Sequence, residues 1–301
     1  NTGDQWDSGK LMSAQSIHVE YAGKPLVSGQ TYYWKVRYWD RQDRPSNYSN
    51  VAKFGVGLLS RSDWTAKWIG ARPRLRSSFH DVDFIQVGLG LGGGLQAGAN
   101  EFRKEFSLPA IPTKGRVYVS GLGYYELRIN GQKIGNHVLD PGWTAFDKRV
   151  LYETYDVTPL LRRGKNAIAA TLGEGWFSER ILLLQLQVEQ DNGARVQIVT
   201  DESWKTHVGP VTTDSVYRGE TYDARMETPG WDRAEFNDSG WNPARVVTPP
   251  AGGLSAQMMP PIRVVDTLVP LKMTNPSAGA YVFDMGQNFS GWEKLRVQGP
   301  R

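Results

Sequence analysis

The stretch YYELRINGQKIG, residues 124–135, carries the clearest structural signal in the chain. Apolar and polar side chains alternate before Asn130-Gly131, and a period of two is typical of β-strands. Asparagine and glycine both accept positive φ angles, which a two-residue turn between antiparallel strands requires. The stretch therefore predicts a β-hairpin.

The same period of two runs through most of the 301 residues. Residues 31–40 place four large side chains on one face of a predicted strand: Tyr32, Trp34, Val36 and Tyr38. Residues 184–198 predict a second hairpin that turns at Asp191-Asn192-Gly193, and new strands are expected from residue 260 onward. The only helical candidate is one turn in VTPLLRR, residues 157–163. These patterns predict an all-β chain.

A glycine run, DFIQVGLGLGGGLQAG at residues 83–98, matches the dinucleotide-binding pattern G-x-G-x-x-G through Gly88, Gly90 and Gly93. That site needs a helix directly after the glycines, because the helix N-terminus binds the pyrophosphate. The residues that follow have no amphipathic period of useful length. The run is interpreted as a mobile loop over residues 86–99, since glycine packs little and has high backbone entropy.

Composition excludes several classes of protein. The 35 basic and 31 acidic residues are interspersed, so there is no concentrated patch for nucleic acid. The chain has no cysteine, which excludes disulfides and thiolate metal sites. No apolar stretch is long enough to span a membrane. The first residues resemble a mature or trimmed terminus, and a periplasmic or secreted location is expected, with the cytoplasm left open.

The residues that could carry chemistry give weak signals. The four histidines are far apart and have no zinc-ligand spacing, so the sequence does not predict a zinc site. Glycosidic hydrolysis needs two facing carboxyl groups, but spacing in a β-sandwich does not say which acidic residues converge, and turns account for several of them. The acidic candidates are Asp140, Asp147, Glu174, Asp201, Asp223 and Asp238.

Two tryptophans lie in loops bracketed by glycine, in GWTAF (142–146) and GEGWF (173–177). A loop tryptophan can stack on a sugar ring while neighbouring polar groups bind the hydroxyls. The alternative is that both rings close the ends of the sandwich as core. Trp143 follows Pro-Gly, which favours a buried turn anchor, whereas Trp176 lies beside Glu174, which favours sugar contact.

The run VSGLGYYELRINGQKIGNHVLDPGWTAFDKRVLYETYDVTPLLRRGKNAIAATLGEGWF, residues 119–177, closely resembles the N-terminal β-sandwich module of bacterial α-L-rhamnosidases of glycoside hydrolase family 78. Residues 6–40 resemble the fibronectin-like module that precedes it. Residues 219–232 resemble the stretch that closes it, and residues 281–300 resemble the start of the next β-sandwich.

The resemblance implies tandem sandwiches: an incomplete fibronectin-III-like module (1–57), a linker with the glycine loop (58–100), a jelly-roll, galactose-binding-like module (101–248) and the start of a further sandwich (249–301). It also implies inverting hydrolysis of terminal α-L-rhamnose from plant glycosides or polysaccharides. The family's catalytic carboxylates lie in a C-terminal (α/α)6 barrel. No catalytic residue is therefore assigned here, and residues 1–301 alone are expected to be inactive.

The candidate carbohydrate-binding residues are Trp176, Trp143, Asp147, Glu174 and Asp140. No cofactor is required. Some relatives bind calcium in a sandwich of this type, and Asp147 is a potential ligand, although an adjacent ammonium on Lys148 opposes this. Two alternatives stay open: a free-standing carbohydrate-binding or adhesion protein, and an accessory module of another glycosidase.

Overall fold

The computed structural model describes residues 3–15, 17–71, 98–177, 179–296 and 298. Within these ranges the ordered elements are β-strands and three 3-10 turns, at Arg61–Asp63, Thr158–Leu160 and Ala224–Met226, without an α-helix. The expected all-β fold of tandem sandwiches is confirmed. The glycine run lies almost entirely in residues 72–97, outside the described residues, so its expected mobility stays a prediction.

The N-terminal region contains one antiparallel pair, β1 (Thr31–Trp34) and β2 (Ala52–Gly55). The predicted strand over residues 31–40 is therefore shorter than expected. Of the four large side chains expected on one face, Trp34, Val36 and Tyr38 are at least half exposed. The physical reason is that, between residues 3 and 57, no second described sheet covers that face.

The main body is a sandwich of a seven-stranded and a six-stranded sheet. The seven-stranded sheet has the order β16-β3-β10-β5-β8-β17, with β11 paired to β10, and the six-stranded sheet has the order β15-β12-β4-β9-β6-β7. Its strands are β3 (Ile69–Gly70), β4 (Asn100–Leu108), β5 (Pro112–Leu122), β6 (Tyr125–Ile129), β7 (Gln132–Lys133), β8 (Arg149–Asp156), β9 (Gly164–Leu172), β10 (Ile181–Gln190), β11 (Arg195–Val199), β12 (Lys205–Val208), β15 (Asn242–Pro243), β16 (Arg245–Val246) and β17 (Gly253–Ala256). Two separate hairpins complete the described strands: β13 (Val211–Ser215) with β14 (Gly219–Tyr222), and β18 (Lys272–Ser277) with β19 (Ala280–Asp284).

Both predicted hairpins of the sandwich are confirmed. β6 pairs with β7 across Asn130 and Gly131, whose φ angles are 51° and 83°. β10 pairs with β11, with Leu186 opposite Ile198. The segment VTPLLRR contains only a short 3-10 turn, at Thr158–Leu160. This agrees with the single helical turn that the sequence predicted there.

The core lies between the two sheets and is built from alternate residues of their strands. Strand β10 is buried along nearly its whole length because other parts of the chain pack against both of its faces. Leu182, Leu184 and Leu186 enter the main core, whereas Ile181 and Leu183 pack under Trp68 on the outer face. This explains why ILLLQLQV is more apolar than a strand with one wet face.

Two segments outside the predicted 101–248 module contribute strands to the sandwich, and the module boundaries themselves stay predictions. The segment after residue 58, expected to be a linker, contains β3 and buries Trp68 and Ile69 against the sandwich. The segment after residue 249, expected to begin the next sandwich, contains β17, which pairs with β8. Short strands of two to four residues are too brief to show a period of two, so the sequence pattern missed them.

The strand expected from residue 260 begins only at Lys272. Prolines at positions 260, 261 and 270 interrupt the apolar run, and proline cannot donate to a strand ladder. In the part of the chain that the structure describes, no helix is long and apolar enough to cross a membrane.

Candidate functional site

Three aromatic rings from three separate loops meet at one end of the sandwich, and we call them the aromatic cluster: Trp143, Trp176 and Tyr217. Trp143 and Trp176 stack with 4.9 Å between ring centroids and 22° between planes. Tyr217 meets Trp176 edge to face at 5.3 Å. Trp143 is 63% exposed and Tyr217 77% exposed, whereas Trp176 is half-buried between them. The cluster is thus a surface feature.

Glycine allows the loop that carries Trp176 to reach this position. Gly175 packs directly on the backbone of Gly123, and a Cβ atom at residue 175 would lie 2.6 Å from the Cα of Gly123. Gly123 itself has φ of 56°, a conformation that favours glycine. The loop of Trp143 is held on the other side, because Gly142 N–H donates to Gln257 Oε1 at 2.7 Å. The two rings are therefore fixed through their backbones.

Beside the aromatic cluster lie three charged groups, which we call the ion triad: Glu174, Arg180 and Asp214. The Arg180 guanidinium donates to Asp214 Oδ1 at 2.6 Å and lies 3.7 Å from Glu174 Oε2. The backbone N–H of Glu174 donates to the other oxygen of Asp214. Glu174 is two residues from Trp176, and Asp214 is three residues from Tyr217, so the chain joins the triad to the aromatic cluster.

The triad has unused hydrogen-bonding capacity. Arg180 Nε is buried and has no hydrogen-bond partner among the described residues. Partial burial raises the pKa of Glu174 above its usual value, with a smaller opposing effect from Arg180. Glu174 has the most exposed side chain of the three, at 31%. Stacked aromatic rings next to polar groups with spare capacity are typical of small-ligand pockets.

The structure brings together three of the five predicted site residues. Trp143 and Trp176 are in contact, and Glu174 lies beside them. The expectation that Trp143 is a buried turn anchor is wrong. Its ring stacks against Trp176 on the surface of the protein and is mostly exposed to solvent. Sequence reasoning missed Tyr217, Arg180 and Asp214. Tyr217 lies next to a glycine turn in VYRGE, the same pattern that identified the two tryptophans.

The other two predicted residues lie outside this arrangement. The Asp147 side chain is 66% exposed and forms an ion pair of 3.4 Å with the adjacent Lys148. That ammonium leaves Asp147 poorly suited to bind calcium. Asp140 is almost fully buried and interacts with His137 and Tyr155 instead.

Comparisons with known proteins agree with the fold and the order of its modules. Residues 111–266 match the model of the α-L-rhamnosidase N-terminal domain, and residues 1–60 match that of the Rha78A-like N-terminal immunoglobulin domain. An α-L-rhamnosidase of Formosa agariphila is 34% identical over 98% of this chain, and one of an Alteromonas species is 33% identical over 98%.

Solved structures give the same result. The α-L-rhamnosidase of Dictyoglumus thermophilum superimposes with a TM-score of 0.85 at 43% identity, over 95% of this chain and 32% of that chain. The Streptomyces avermitilis α-L-rhamnosidase, solved in complex with L-rhamnose, gives 0.83 at 25% identity, over 95% of this chain and 44% of that chain. The chain spans about a third of the length of the Formosa and Alteromonas relatives. The chain belongs to the α-L-rhamnosidase N-terminal domain family.

Proposed function

We propose that this chain is the ancillary β-sandwich portion of an α-L-rhamnosidase that removes terminal α-L-rhamnose from plant glycosides or polysaccharides by inversion. The observation that carries the proposal is the similarity at 33–35% identity over 98–99% of this chain to three curated α-L-rhamnosidases. The sandwiches would support a helical catalytic barrel, which holds the carboxylates that act on the glycosidic bond. A polysaccharide substrate would favour a periplasmic or secreted location.

We further propose that the aromatic cluster and the ion triad form a carbohydrate contact on this portion. Stacking covers one face of Trp143 with Trp176, and the exposure of Trp143 leaves its outer face free for a sugar ring. A pyranose presents apolar C–H groups to such a face and hydroxyls at its rim. Glu174 can accept from those hydroxyls, and Arg180 holds the carboxylate in place.

Titration with L-rhamnose, followed by tryptophan fluorescence, tests this contact. One ring on one sugar contributes about 1 kcal/mol beyond burial, so the affinity is expected to be roughly millimolar. Trp143→Ala should abolish the response, and Glu174→Gln should weaken it. Trp34→Ala is the matched control, because Trp34 is half exposed but lies on β1, away from the site.

Two outcomes would contradict the contact. A wild-type protein whose fluorescence does not change at saturating rhamnose would exclude it, and so would a response that Trp34→Ala removes and Trp143→Ala retains. A free-standing carbohydrate-binding or adhesion protein could use the same contact without an enzyme. Translation of the reading frame beyond Arg301 separates the two: a helical, acid-rich continuation supports the enzyme, and a stop codon or wall anchor supports the module.

A further inference from the structure

A second group of polar residues converges at the edge of the sandwich, and we call it the His137 cluster: His137, Asp140 and Glu153. His137 and Asp140 lie in the loop between β7 and β8, and Glu153 lies on β8. One nitrogen of the imidazole and one oxygen of each carboxylate all lie within 4.8 Å of one another. His137 Nδ1 is 2.8 Å from Asp140 Oδ2.

These side chains project toward the inside of the sandwich. Glu153 lies opposite Val119 in the pairing of β5 with β8, and Val119 belongs to the main core. Tyr155, two residues on, lies opposite Val117 and points the same way. Asp140 is only 3% exposed. The cluster is therefore largely shielded from water.

Within the described part of the chain, no lysine or arginine balances the carboxylates of this cluster. Among the described residues, neither Asp140 nor Glu153 forms an ion pair with a lysine or arginine, and the ion pair of Asp140 is with His137. Two neighbouring carboxylates in a shielded position are costly unless a cation lies between them or one of them takes up a proton. A buried carboxylate pair with an imidazole beside it is a typical donor set for a divalent metal ion.

We infer that the His137 cluster binds a divalent transition metal ion of the zinc class. Zinc accepts imidazole nitrogen and carboxylate oxygen at about 2.0–2.2 Å, and donor atoms between 2.8 and 4.8 Å apart can close around such an ion. Calcium takes six to eight oxygens, and the cluster offers few, because the main-chain carbonyl of Asp140 already accepts from Tyr125 N–H at 3.1 Å. Imidazole also favours zinc over calcium or magnesium.

Tyr155 positions one ligand of this site. Its hydroxyl donates to Asp140 Oδ2 at 2.8 Å and lies 3.3 Å from Tyr125 Oη. A hydrogen bond of this kind orients a metal-binding carboxylate. The site does not depend on sugar binding, but it ties the loop of residues 137–142 to β8, and Trp143 follows directly. Metal binding would thus also fix one ring of the aromatic cluster.

Calorimetric titration of the metal-stripped chain with Zn²⁺ tests the site, with Co²⁺ as a spectroscopic probe. One ion per chain is expected, with a Kd of about 10 µM or below, and Co²⁺ should show visible bands with a hyperfine-shifted histidine ring proton. His137→Asn and Glu153→Gln should weaken Zn²⁺ binding about 100-fold or more, and Tyr155→Phe about tenfold. His18→Asn and Asp147→Asn are matched controls on exposed residues and should bind as the wild type does.

The wild-type measurements decide the question even where a variant folds poorly, which circular dichroism will reveal. A wild-type chain that binds neither Zn²⁺ nor Co²⁺ at roughly 0.1 mM overturns the inference. So does Co²⁺ binding without a shifted histidine proton, or loss of binding in Asp147→Asn equal to that in Glu153→Gln. Rhamnose titration of the same stripped protein is independent of these results, so failure of the metal site and of the sugar contact remain distinguishable.

Discussion

The hydroxyl of Tyr152 makes two hydrogen bonds with Leu58, a residue 94 positions earlier. It accepts from the Leu58 N–H at 2.8 Å and donates to the Leu58 carbonyl at 3.0 Å. Both residues are buried in a small cluster with Tyr118 on the outer face of the sandwich. This two-point contact fixes the segment that follows the N-terminal module.

Removing that hydroxyl should destabilise the protein. Tyr152→Phe keeps the ring but leaves the buried N–H and carbonyl of Leu58 unpaired, so the free energy of unfolding should fall by about 1–3 kcal/mol. Gly57→Ala should act similarly, because a methyl group at residue 57 would overlap the Tyr152 hydroxyl. Urea denaturation measures both, with the exposed Tyr281→Phe as control. Equal midpoints for Tyr152→Phe and the control would contradict the prediction.

Glu101 should make stability depend on pH. Burial, with a smaller contribution from Asp232, raises its pKa to about 7 from an ordinary 4.5. The folded state therefore holds the proton more tightly than the unfolded state. The stabilisation is complete below about pH 4.5 and is lost as the pH rises through about 7, with a total loss of about 3 kcal/mol.

Glu101→Gln should remove this loss, because the amide does not ionise. The variant should be more stable than the wild type at pH 8, and the difference should shrink toward pH 5, as measured by urea denaturation at a series of pH values. Glu220→Gln, on the exposed β14, is the control. A wild-type stability that rises between pH 5 and 8, with Glu101→Gln rising in parallel, would show that Glu101 does not control it.

Arg103 should be one of the most sensitive positions. Its side chain is 1% exposed, pairs with Asp238, and donates to the carbonyls of Trp231 and Arg233 at 2.9 and 3.0 Å. Arg103→Met keeps much of the volume but leaves those groups unpaired, so the cost should be about 3–5 kcal/mol. Arg195→Met, at a 78% exposed side chain, should cost little. Thermal melting of the two variants checks the contrast, and similar melting temperatures would refute it.

The two tryptophans of the aromatic cluster should differ in their effect on stability. Trp143→Ala removes a mostly exposed ring and should cost about 1 kcal/mol or less. Trp176→Ala removes the half-buried ring between Trp143 and Tyr217 and should cost about 2–3 kcal/mol. Chemical denaturation of both variants measures the order. A larger loss for Trp143→Ala would mean that its ring is buried in solution.

Residues 1–301 alone should not hydrolyse an aryl α-L-rhamnoside. The acid pairs of glycosidases flank an open cleft about 5–9.5 Å apart, whereas donor oxygens of Asp140 and Glu153 lie within 4.8 Å in a shielded position. Glu174 and Asp214 are held by Arg180. Release of the aryl group should match the buffer rate and should appear when a C-terminal continuation is present. Turnover by residues 1–301 that Glu174→Gln abolishes would contradict this.

The fold class was predictable because the sandwich is built from long strands with local turns. β5, β6 and β10 each show the residue pattern of a strand. The turns at Asn130-Gly131 and Asp191-Asn192-Gly193 can be recognised from their residue types alone. Short strands such as β3 and β17 depend on partners far away in the chain. No local pattern identifies them, which is why the sequence did not predict these two strands.

The candidate sites were predictable only in part. Glycine-bracketed tryptophans identified two of the three rings of the aromatic cluster, because aromatic rings in tight loops are a local feature. The ion triad needs Asp214 from a hairpin roughly 40 residues away from Glu174. In the His137 cluster, His137 and Asp140 are three residues apart in the sequence. Glu153 lies on β8, where polar and apolar residues alternate as in any strand, so nothing in the sequence distinguishes it. Its inward direction follows only from its pairing with Val119.

The parallel pairing of β17 with β8 has a consequence for synthesis on the ribosome. β8 is an edge strand until residues 253–256 arrive, roughly 100 residues later in translation. During that interval the nascent sandwich presents unpaired N–H and carbonyl groups along β8, which can recruit another strand. A truncated product that ends just before Gly253 would have this edge left open, and it should aggregate even though nearly all of the core is present.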